Sequence, residues 1–167
     1  MSILLLAMMV PFAATLIPLF KLFTGLGLQS TWIAYILPTI STPFLIMLFR
    51  QSTRTFPREI IEAARIDGLS EIKIFAKLYF PTMKSTYAAA MTVTFMNAWN
   101  NYLWPKVIMM SADSQTMPMM VANLSAGYSI DYGVLMLGVL ICSLPTGILF
   151  LILQRSFTNG ILGAVKG

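Results

Sequence analysis

Residues 57–81 read PREIIEAARIDGLSEIKIFAKLYFP and form the one long polar interruption in an otherwise apolar sequence. Nearly half of the charged residues of the chain lie within it. Pro57 suits the first turn of a helix, and Gly68 suits the left-handed conformation that ends one. Ser70 is a favourable N-cap for a second helix, and Pro81 then begins the next apolar segment. The pattern predicts two short amphipathic helices joined by a turn.

The composition is typical of a membrane protein. Of the 167 residues, 57% are hydrophobic and 10% are charged, against roughly 45–50% and about 25% in soluble proteins. A soluble domain of this length would carry far more surface charge, so we expect one all-α domain, residues 1–167, built as a polytopic bundle of transmembrane helices. A net charge of +5 favours nucleic acid as the partner of a soluble protein. Here the basic residues are concentrated in one loop between apolar segments, so no nucleic-acid partner is expected.

The residue types that most often carry catalysis or bind metals are scarce. The sequence contains no histidine, and its single cysteine, Cys142, lies in an apolar run. Acid–base catalysis by histidine and metal ligation by histidine or paired cysteines are therefore excluded. We expect no catalytic residues, no metal site and no enzyme activity.

Four apolar segments are long enough to cross a bilayer as helices of about 20 residues. They are residues 1–20, 31–49, 82 to about 103, and 133–153. A cleaved signal peptide is the alternative for the first segment, which lacks the basic residues that begin such a peptide. Prolines in the first two segments predict kinked or broken helices. A Met-rich piece, residues 117–124, is too short to span and is expected to lie in the interface or dip back into the membrane.

The loop between the second and third segments is basic. Seven basic residues oppose four acidic ones: Arg50, Arg54, Arg58, Arg65, Lys73, Lys77 and Lys84 against Glu59, Glu62, Asp67 and Glu71. By the positive-inside bias this loop is cytoplasmic, and four spans then place both termini of the chain in the cytoplasm, with Arg155 on that side. Lipid phosphates or a protein partner can account for Lys73 and Lys77.

The spacing within the polar stretch resembles a family pattern. Glu62-Ala63-Ala64 is followed after three residues by Gly68 and, after nine more, by the tetrapeptide Leu-Tyr-Phe-Pro that ends at Pro81. This is similar to the EAA loop of ATP-binding-cassette (ABC) importer permeases, EAA-x3-G-x9-I-x-L-P, with apolar replacements at Leu78 and Phe80. The whole chain resembles the carbohydrate (maltose-type) family of binding-protein-dependent inner membrane permeases. Such permeases usually have six spans and this chain resembles the last four, which implies a permease domain that lacks the first two spans and is incomplete at its N-terminus.

The resemblance implies that residues 57–68 form a coupling helix that docks into a cleft of a separate ATPase subunit. The residues expected to act in this coupling are Glu59, Glu62, Ala63, Ala64, Asp67, Gly68 and Pro81. The alternative is a solvated helix stabilised by Arg58–Glu62 and Glu62–Arg65 pairs. Asp67 opposes the helix dipole at its position, so it caps the next helix or meets a basic partner. The tail, residues 163–167, resembles a maltose-type terminal segment that reaches toward the ATPase, and a disordered terminus is the alternative.

The outward end of the third segment is rich in amide and aromatic side chains. Asn97, Asn100, Asn101 and Trp104 are candidate substrate-pathway residues, because amides hydrogen-bond sugar hydroxyls and an indole can stack on a sugar ring. The run from Trp99 to Pro105 resembles the corresponding segment of sugar importers. The alternative is that these side chains face lipid headgroups or tie helices together.

Without a GxxxxGK[ST] motif in this sequence, we expect ATP and Mg²⁺ to be bound by a partner subunit and no cofactor by this chain. The resemblance implies a permease of an ATP-driven sugar importer in a bacterial inner membrane. Its partners would be a cytoplasmic ABC ATPase dimer, a second permease, an extracytoplasmic solute-binding protein and the lipid bilayer. The alternatives are a permease for glycerol phosphate or a similar solute, and a truncated fragment without transport. An ion-coupled transporter is disfavoured because the predicted spans contain no Asp or Glu.

Overall fold

The computed structural model describes residues 2–127 and 129–165, apart from the side chains of Ala112 and of residues 155–165. All regular structure in these residues is helical, which confirms the predicted all-α fold. The helices are α1 (Ser2–Met9), α2 (Phe12–Gly25), α3 (Trp32–Ile36), α4 (Pro43–Arg54), α5 (Arg58–Ile66), α6 (Glu71–Ile74), α7 (Phe80–Thr82), α8 (Lys84–Trp99), α9 (Leu103–Ile108), α10 (Met117–Leu124) and α11 (Tyr132–Val165). Short 3₁₀ turns follow α3 (Leu37–Thr39) and precede α10 (Ala112–Ser114), and a π-helix (Phe75–Tyr79) joins α6 to α7.

Prolines break the first two apolar segments. Helices α1 and α2 meet at Pro11 with a bend of 87°, and α3 with its 3₁₀ turn meets α4, which begins at Pro43, with a bend of 45°. Within the described residues, Tyr132–Gln154 is the one unbroken helix long and apolar enough to cross a membrane, with a mean hydropathy of 2.4. Each bent pair also meets that test when taken as a single broken span. The predicted kinks are therefore confirmed.

The third predicted segment has different bounds from those expected. Helix α8 has 16 residues, about 24 Å at 1.5 Å per residue, which is less than the roughly 30 Å of a hydrocarbon core. It begins at Lys84 rather than at Pro81 or residue 82, because Met83, the C-cap of α7, has non-helical dihedral angles (φ −91°, ψ 21°) and separates the two helices. It ends at Trp99, before three residues that separate it from α9.

The last helix continues past its predicted end. The sequence predicts a span that ends at residue 153, whereas α11 continues to Val165. The side chain of Arg155 and the last two residues of the tail, 166–167, lie outside the described residues. Most large side chains between Tyr132 and Gln154 are exposed, so this surface is available to lipid or to neighbouring helices.

The chain forms two compact units, and the first comprises the described residues of 1–43 and 94–149. Its core centres on Trp104, which is fully buried against Phe12 and Phe23, with ring centroids 6.2 and 6.0 Å away. The indole Nε1–H donates to the Ala34 carbonyl oxygen at 3.1 Å. In a regular helix that oxygen would accept from residue 38, which is a proline without an N–H. The tryptophan therefore satisfies a carbonyl that Pro38 leaves free.

The second unit comprises the described residues of 44–93 and 150–167. Its buried side chains include Ala64, Ile74 and Met83, together with the alanines of the first half of α8. The Thr86 hydroxyl donates to Ser52 Oγ at 2.8 Å, which ties α8 to α4. This unit contains the whole polar loop that the sequence singles out.

Candidate functional site

The polar loop begins with helix α5, nine residues from Arg58 to Ile66. Pro57 holds the N-cap position in an extended conformation, one residue before the first turn in which the sequence places it. Glu59 lies in the first turn and Arg65 in the last, and both complement the helix dipole. The sequence thus specifies this helix through its ends as well as its apolar spacing.

The turn after α5 is a complete Schellman motif. The Gly68 N–H donates to the Arg65 carbonyl oxygen at 3.0 Å, and the Leu69 N–H donates to the Ala64 carbonyl oxygen at 3.0 Å. Gly68 has a φ of +76°, the left-handed conformation that glycine adopts without a steric penalty. The predicted role of Gly68 in the turn is confirmed. Three residues separate the second alanine of the EAA triplet from the glycine, and the turn explains this spacing. The carbonyl of that alanine, Ala64, is the one that accepts the Leu69 N–H in the Schellman motif.

The EAA triplet faces two ways. Ala64 is 7% exposed and packs into the second unit, whereas Glu62 and Ala63 are exposed. Glu59 and Asp67 are exposed too. The acidic side chains and one small residue therefore face outward, and the second alanine anchors the helix.

Arg65 pairs across the turn. Its Nε lies 2.8 Å from Glu71 Oε1, and its second guanidinium nitrogen donates to Oε2 at 3.3 Å. The hydrogen bond and the charge of Glu71 raise the pKa of Arg65, and the hydrogen bond from Arg65 lowers the pKa of Glu71. The Arg58–Glu62 and Glu62–Arg65 pairs of the alternative interpretation do not form in the described residues, which show neither within 4.0 Å. The reason is that the turn folds the chain back and brings Glu71 to the guanidinium.

The helix after the turn has its N-cap at Ser70, whose side chain makes no capping hydrogen bond. Asp67 is the C-cap of α5 and does not cap the next helix, so the first of its two predicted roles is wrong. Its exposed carboxylate leaves the second role, contact with a basic partner.

The second predicted helix does not end before Pro81. Helix α6 continues as the π-helix and then as α7, and the Phe80 N–H donates to the Phe75 carbonyl oxygen, five residues back. An α-helix would leave the Lys77 carbonyl without a donor, because Pro81 has no N–H. The π-helix, Phe75–Tyr79, ends two residues before this proline and widens the turn there. Pro81 itself is exposed.

The predicted pathway residues at the end of α8 do not share one position. Asn97 is exposed, and the exposed Asn100 donates to the Met96 carbonyl oxygen at 3.0 Å. Asn101 Oδ1 accepts from the Trp104 backbone N–H at 3.3 Å, so its side chain is used within the chain to satisfy an N–H in the first turn of α9, whose N-cap is Tyr102. Trp104 lies in the core of the first unit, which leaves its ring unavailable for stacking on a solute in this arrangement.

Among these four residues, Asn100 alone lines a cavity of about 410 Å³ in the first unit. The cavity lies between the end of α8, α10 and α11, and its polar lining comes from Asn100, Tyr102, Ser125, Cys142 and Ser143. The last three residues are not among the sequence candidates. A signal for two of them exists, since Cys142 and Ser143 form a polar pair in the middle of the most hydrophobic segment. Hydroxyl and amide groups in an apolar cleft can hydrogen-bond a small polar solute.

The part of the chain that the structure describes holds no group of three or more His, Cys, Asp or Glu side chains that could bind a metal ion. The polar loop and the cavity beside Asn100 are thus the two candidate sites, and neither has the residues of a catalytic centre.

The sequence matches known proteins over almost its whole length. Residues 1–162 match the family of binding-protein-dependent transport system inner membrane components. The chain is 47% identical to a lactose transport system permease protein of Rhizobium radiobacter over 99% of this chain and 60% of that protein. It is 40% identical to an arabinooligosaccharides transport system permease protein of Halalkalibacterium halodurans over 98% of this chain and 59% of that protein. An sn-glycerol-3-phosphate transport system permease protein of Escherichia coli K12 is 30% identical over 95% of this chain and 57% of its own length.

The chain spans about six-tenths of the length of the curated relatives it matches. The match covers the polar loop and both units. The resemblance first seen in the EAA spacing is confirmed, and the chain belongs to the family of binding-protein-dependent transport system inner membrane components.

Proposed function

We propose that this chain is a membrane-spanning permease subunit of an ATP-driven, binding-protein-dependent sugar importer. The relatives at 47% and 40% identity are named for lactose and for arabinooligosaccharides, and this supports a carbohydrate as the solute. The relative at 30% is named for sn-glycerol-3-phosphate, which is the alternative solute. The cavity beside Asn100 is the candidate pathway on the outer side, because its hydroxyl and amide lining suits a neutral polyol.

The observation that carries the coupling role is the construction of α5. Glu59, Glu62 and Ala63 face outward, while Ala64 and the Schellman bonds fix the helix to the second unit. The Arg65–Glu71 pair adds a second link between α5 and α6. A force applied to the exposed face of α5 is therefore transmitted into the helical path that begins at α6. This is the property required of a helix that converts closure of an ATPase into movement of spans.

The partners follow from the same assignment. A cytoplasmic ABC ATPase dimer would bind ATP and Mg²⁺ and contact α5, and this chain would bind no cofactor. A second permease would complete the translocation path, and a solute-binding protein would deliver the sugar from outside. The excess of basic residues between Arg50 and Lys84 supports a cytoplasmic loop in a multi-pass protein of the bacterial inner membrane with both termini inside.

Cysteine cross-linking tests the coupling role. In a Cys142→Ser background, the introduced cysteine is the one thiol of this chain. Ala63→Cys should cross-link to a cysteine placed in the cleft of the ATPase within the assembled transporter, because Ala63 is exposed. Ala64→Cys is the matched control and should not cross-link, because Ala64 is buried. Equal cross-linking at both positions, or none at Ala63 in an assembled transporter, would contradict the proposal.

Uptake measurements test the solute class. Proteoliposomes that hold the assembled transporter and its binding protein should accumulate a labelled disaccharide only with ATP inside. Accumulation of glycerol 3-phosphate in preference to the disaccharide would favour the alternative solute. Uptake that follows an ion gradient without ATP would contradict both assignments.

A further inference from the structure

The cavity beside Asn100 has walls from three parts of the first unit, and two close contacts hold these walls together. The Trp99 indole Nε1–H, at the end of α8, donates to the Cys142 carbonyl oxygen of α11 at 2.8 Å. Helices α10 and α11 meet at Gly138, where an added Cβ would stand 3.4 Å from two side chains of α10. Because the walls are joined to one another, the polar groups of the cavity are held in a set arrangement.

The serine protons of this cavity are already used within the chain. Ser125 Oγ donates to the Ala122 carbonyl oxygen at 2.7 Å. Ser143 Oγ donates to the Leu140 carbonyl oxygen at 2.8 Å. A carbonyl oxygen can only accept, so each hydroxyl commits its single proton to the preceding helical turn and offers the cavity its lone pairs. The Cys142 thiol adds only a weak donor, so the walls from α10 and α11 present mainly acceptors.

The third wall, between the end of α8 and the start of α9, presents donors. Lys106 Nζ donates to the Tyr102 hydroxyl oxygen, and its ammonium lies 4.8 Å from the centre of the same ring. An ammonium group cannot accept, so the tyrosine hydroxyl accepts this bond and its own proton remains available. Asn100 donates one amide proton to the Met96 carbonyl oxygen at 3.0 Å and keeps a second N–H. This wall can therefore donate to a solute while the other two walls accept.

We infer that this cavity is a subsite selective for neutral polyols, in which Ser125 and Ser143 accept hydrogen bonds from solute hydroxyls and Tyr102 donates one. The inference rests on the proposed role of this chain in solute import, and it adds the residues that select the solute. A sugar hydroxyl carries one proton and two lone pairs, so neighbouring hydroxyls of one sugar can bond to all three walls. The other lining residues, apart from Asn100 and Cys142, are apolar and suit the C–H faces of a sugar ring.

The same lining disfavours an anionic solute. An ionised carboxylate or phosphate oxygen has no proton to give, so it would face the lone pairs of Ser125 and Ser143. Among the described residues, no arginine or lysine lines the cavity, and the ammonium of Lys106 is engaged by Tyr102. Burial of an unpaired charge costs far more than burial of a hydroxyl that is hydrogen-bonded. The cavity therefore favours a sugar over glycerol 3-phosphate, the alternative solute.

Protection of Cys142 from alkylation measures occupancy of this cavity directly. Cys142 is half-buried, lines the cavity and is the one cysteine of this chain. The assembled transporter, with its other subunits free of cysteine, is treated with N-ethylmaleimide at increasing concentrations of solute. The treatment is made once without nucleotide and once after trapping with ATP and vanadate. Lactose should slow the alkylation of Cys142 in at least one of these states, and glycerol 3-phosphate should slow it in neither.

Replacement of each serine tests its role as an acceptor. Ser125→Ala and Ser143→Ala should each raise the half-protecting concentration of lactose about threefold to tenfold, which corresponds to the loss of one hydrogen bond. Ser114→Ala is the matched control, because Ser114 Oγ also donates to a carbonyl three residues back, at 3.1 Å, and does not line the cavity. This control should leave the half-protecting concentration unchanged.

Deoxyfluoro analogues of lactose, each with one hydroxyl replaced by fluorine, test the direction of the hydrogen bonds. Fluorine has no proton to donate, so the analogue that lacks the hydroxyl bound to Ser143 should protect wild type less well than lactose does. The same analogue and lactose should protect Ser143→Ala about equally, because the acceptor is already absent. A substitution that only disturbs the fold would weaken protection by lactose and by every analogue alike.

Four results would overturn the inference. The first is lactose that leaves the alkylation of Cys142 unchanged in both states, and the second is glycerol 3-phosphate that protects as well as lactose. The third is one half-protecting concentration shared by the three serine variants, and the fourth is a set of fluorinated analogues that all protect wild type as lactose does. Each of these results is compatible with ATP-driven uptake of the disaccharide, so failure here is distinguishable from failure of the proposed import.

Discussion

Replacement of Gly68 tests two roles of that residue, its left-handed conformation in the Schellman turn and its place in the coupling surface. Its φ of +76° is required by the Schellman turn, and a Cβ built on it would meet no atom of this chain within 4 Å. Crowding within the chain therefore contributes nothing, and the cost of Gly68→Val comes from backbone strain. A residue with a Cβ in the left-handed region costs about 1–2 kcal/mol, and β-branched side chains are among the least tolerant there. That cost lowers the population of the capped turn by about 5–30-fold.

The chain supplies a matched control for this change. Gly27 also has a positive φ, +68°, and a Cβ built on it likewise meets nothing within 4 Å. Gly27→Val should therefore cost about the same 1–2 kcal/mol of stability while leaving the coupling loop untouched. Gly68→Asn should cost less than Gly68→Val, because asparagine accepts the left-handed conformation at helix ends.

The assay compares thermal stability with function in the assembled transporter. Both valine variants should lower the melting temperature by a similar amount. Solute uptake and stimulation of the ATPase by the binding protein, each measured per assembled complex, should fall strongly for Gly68→Val and little for Gly27→Val. Equal uptake by the two variants, at equal assembly, would refute the reasoning that places Gly68 in the coupling surface.

Three further predictions follow from individual contacts. The pKa of Glu71 is lowered in the folded state, so wild type should be more stable than Glu71→Gln at neutral pH. That difference in stability should disappear as the pH falls through the lowered pKa, which pH-dependent unfolding would measure. A difference that persists in acid would contradict this prediction. Trp104→Phe should cost about 1–3 kcal/mol in a denaturant titration, because it leaves the Ala34 carbonyl unsatisfied next to a proline; a cost near zero would mean that another donor replaces the indole. Ala64→Leu should destabilise the protein by about 1–3 kcal/mol through overpacking. Ala63→Leu should leave the melting temperature unchanged and lower uptake, because Ala63 is exposed. A larger loss of stability for Ala63→Leu than for Ala64→Leu would contradict the assignment of the two faces.

The parts of the loop that the sequence predicts correctly are those set by neighbouring residues. Gly68 ends α5 as expected, since the conformation of a turn depends on the residue that occupies it. The breaks near Pro11 and Pro43 are also local, although the bends of 87° and 45° depend on packing that no short segment encodes. The all-α fold follows from composition and from the length of the apolar segments.

The errors in the predictions have a common physical source, which is contact between residues distant in the chain or across a turn. Trp104 has the position of an interfacial aromatic in the sequence, yet its partner Ala34 lies 70 residues away. The Arg58–Glu62 and Glu62–Arg65 pairs follow the i, i+4 and i, i+3 spacings of a helix, whereas Arg65 pairs with Glu71 because the chain reverses at the turn. The contact between the rings of Phe49 and Tyr87 is invisible in the sequence for the same reason, since the two residues are 38 positions apart and meet only in the folded unit.

The π-helix before Pro81 changes the direction, around the helix axis, in which the side chains after it point. One additional residue within a helix turns the subsequent side chains by about 100° around the axis. The apolar side of α6, which buries Ile74, therefore does not continue in phase into α8, which buries Ala88, Ala89 and Ala90. The polar loop and the apolar segment can therefore pack in different directions around the helix axis. The five residues of the π-helix set the angle between those two directions. Deleting one of those five residues should turn the side chains that follow by about 100° around the helix axis relative to Ile74.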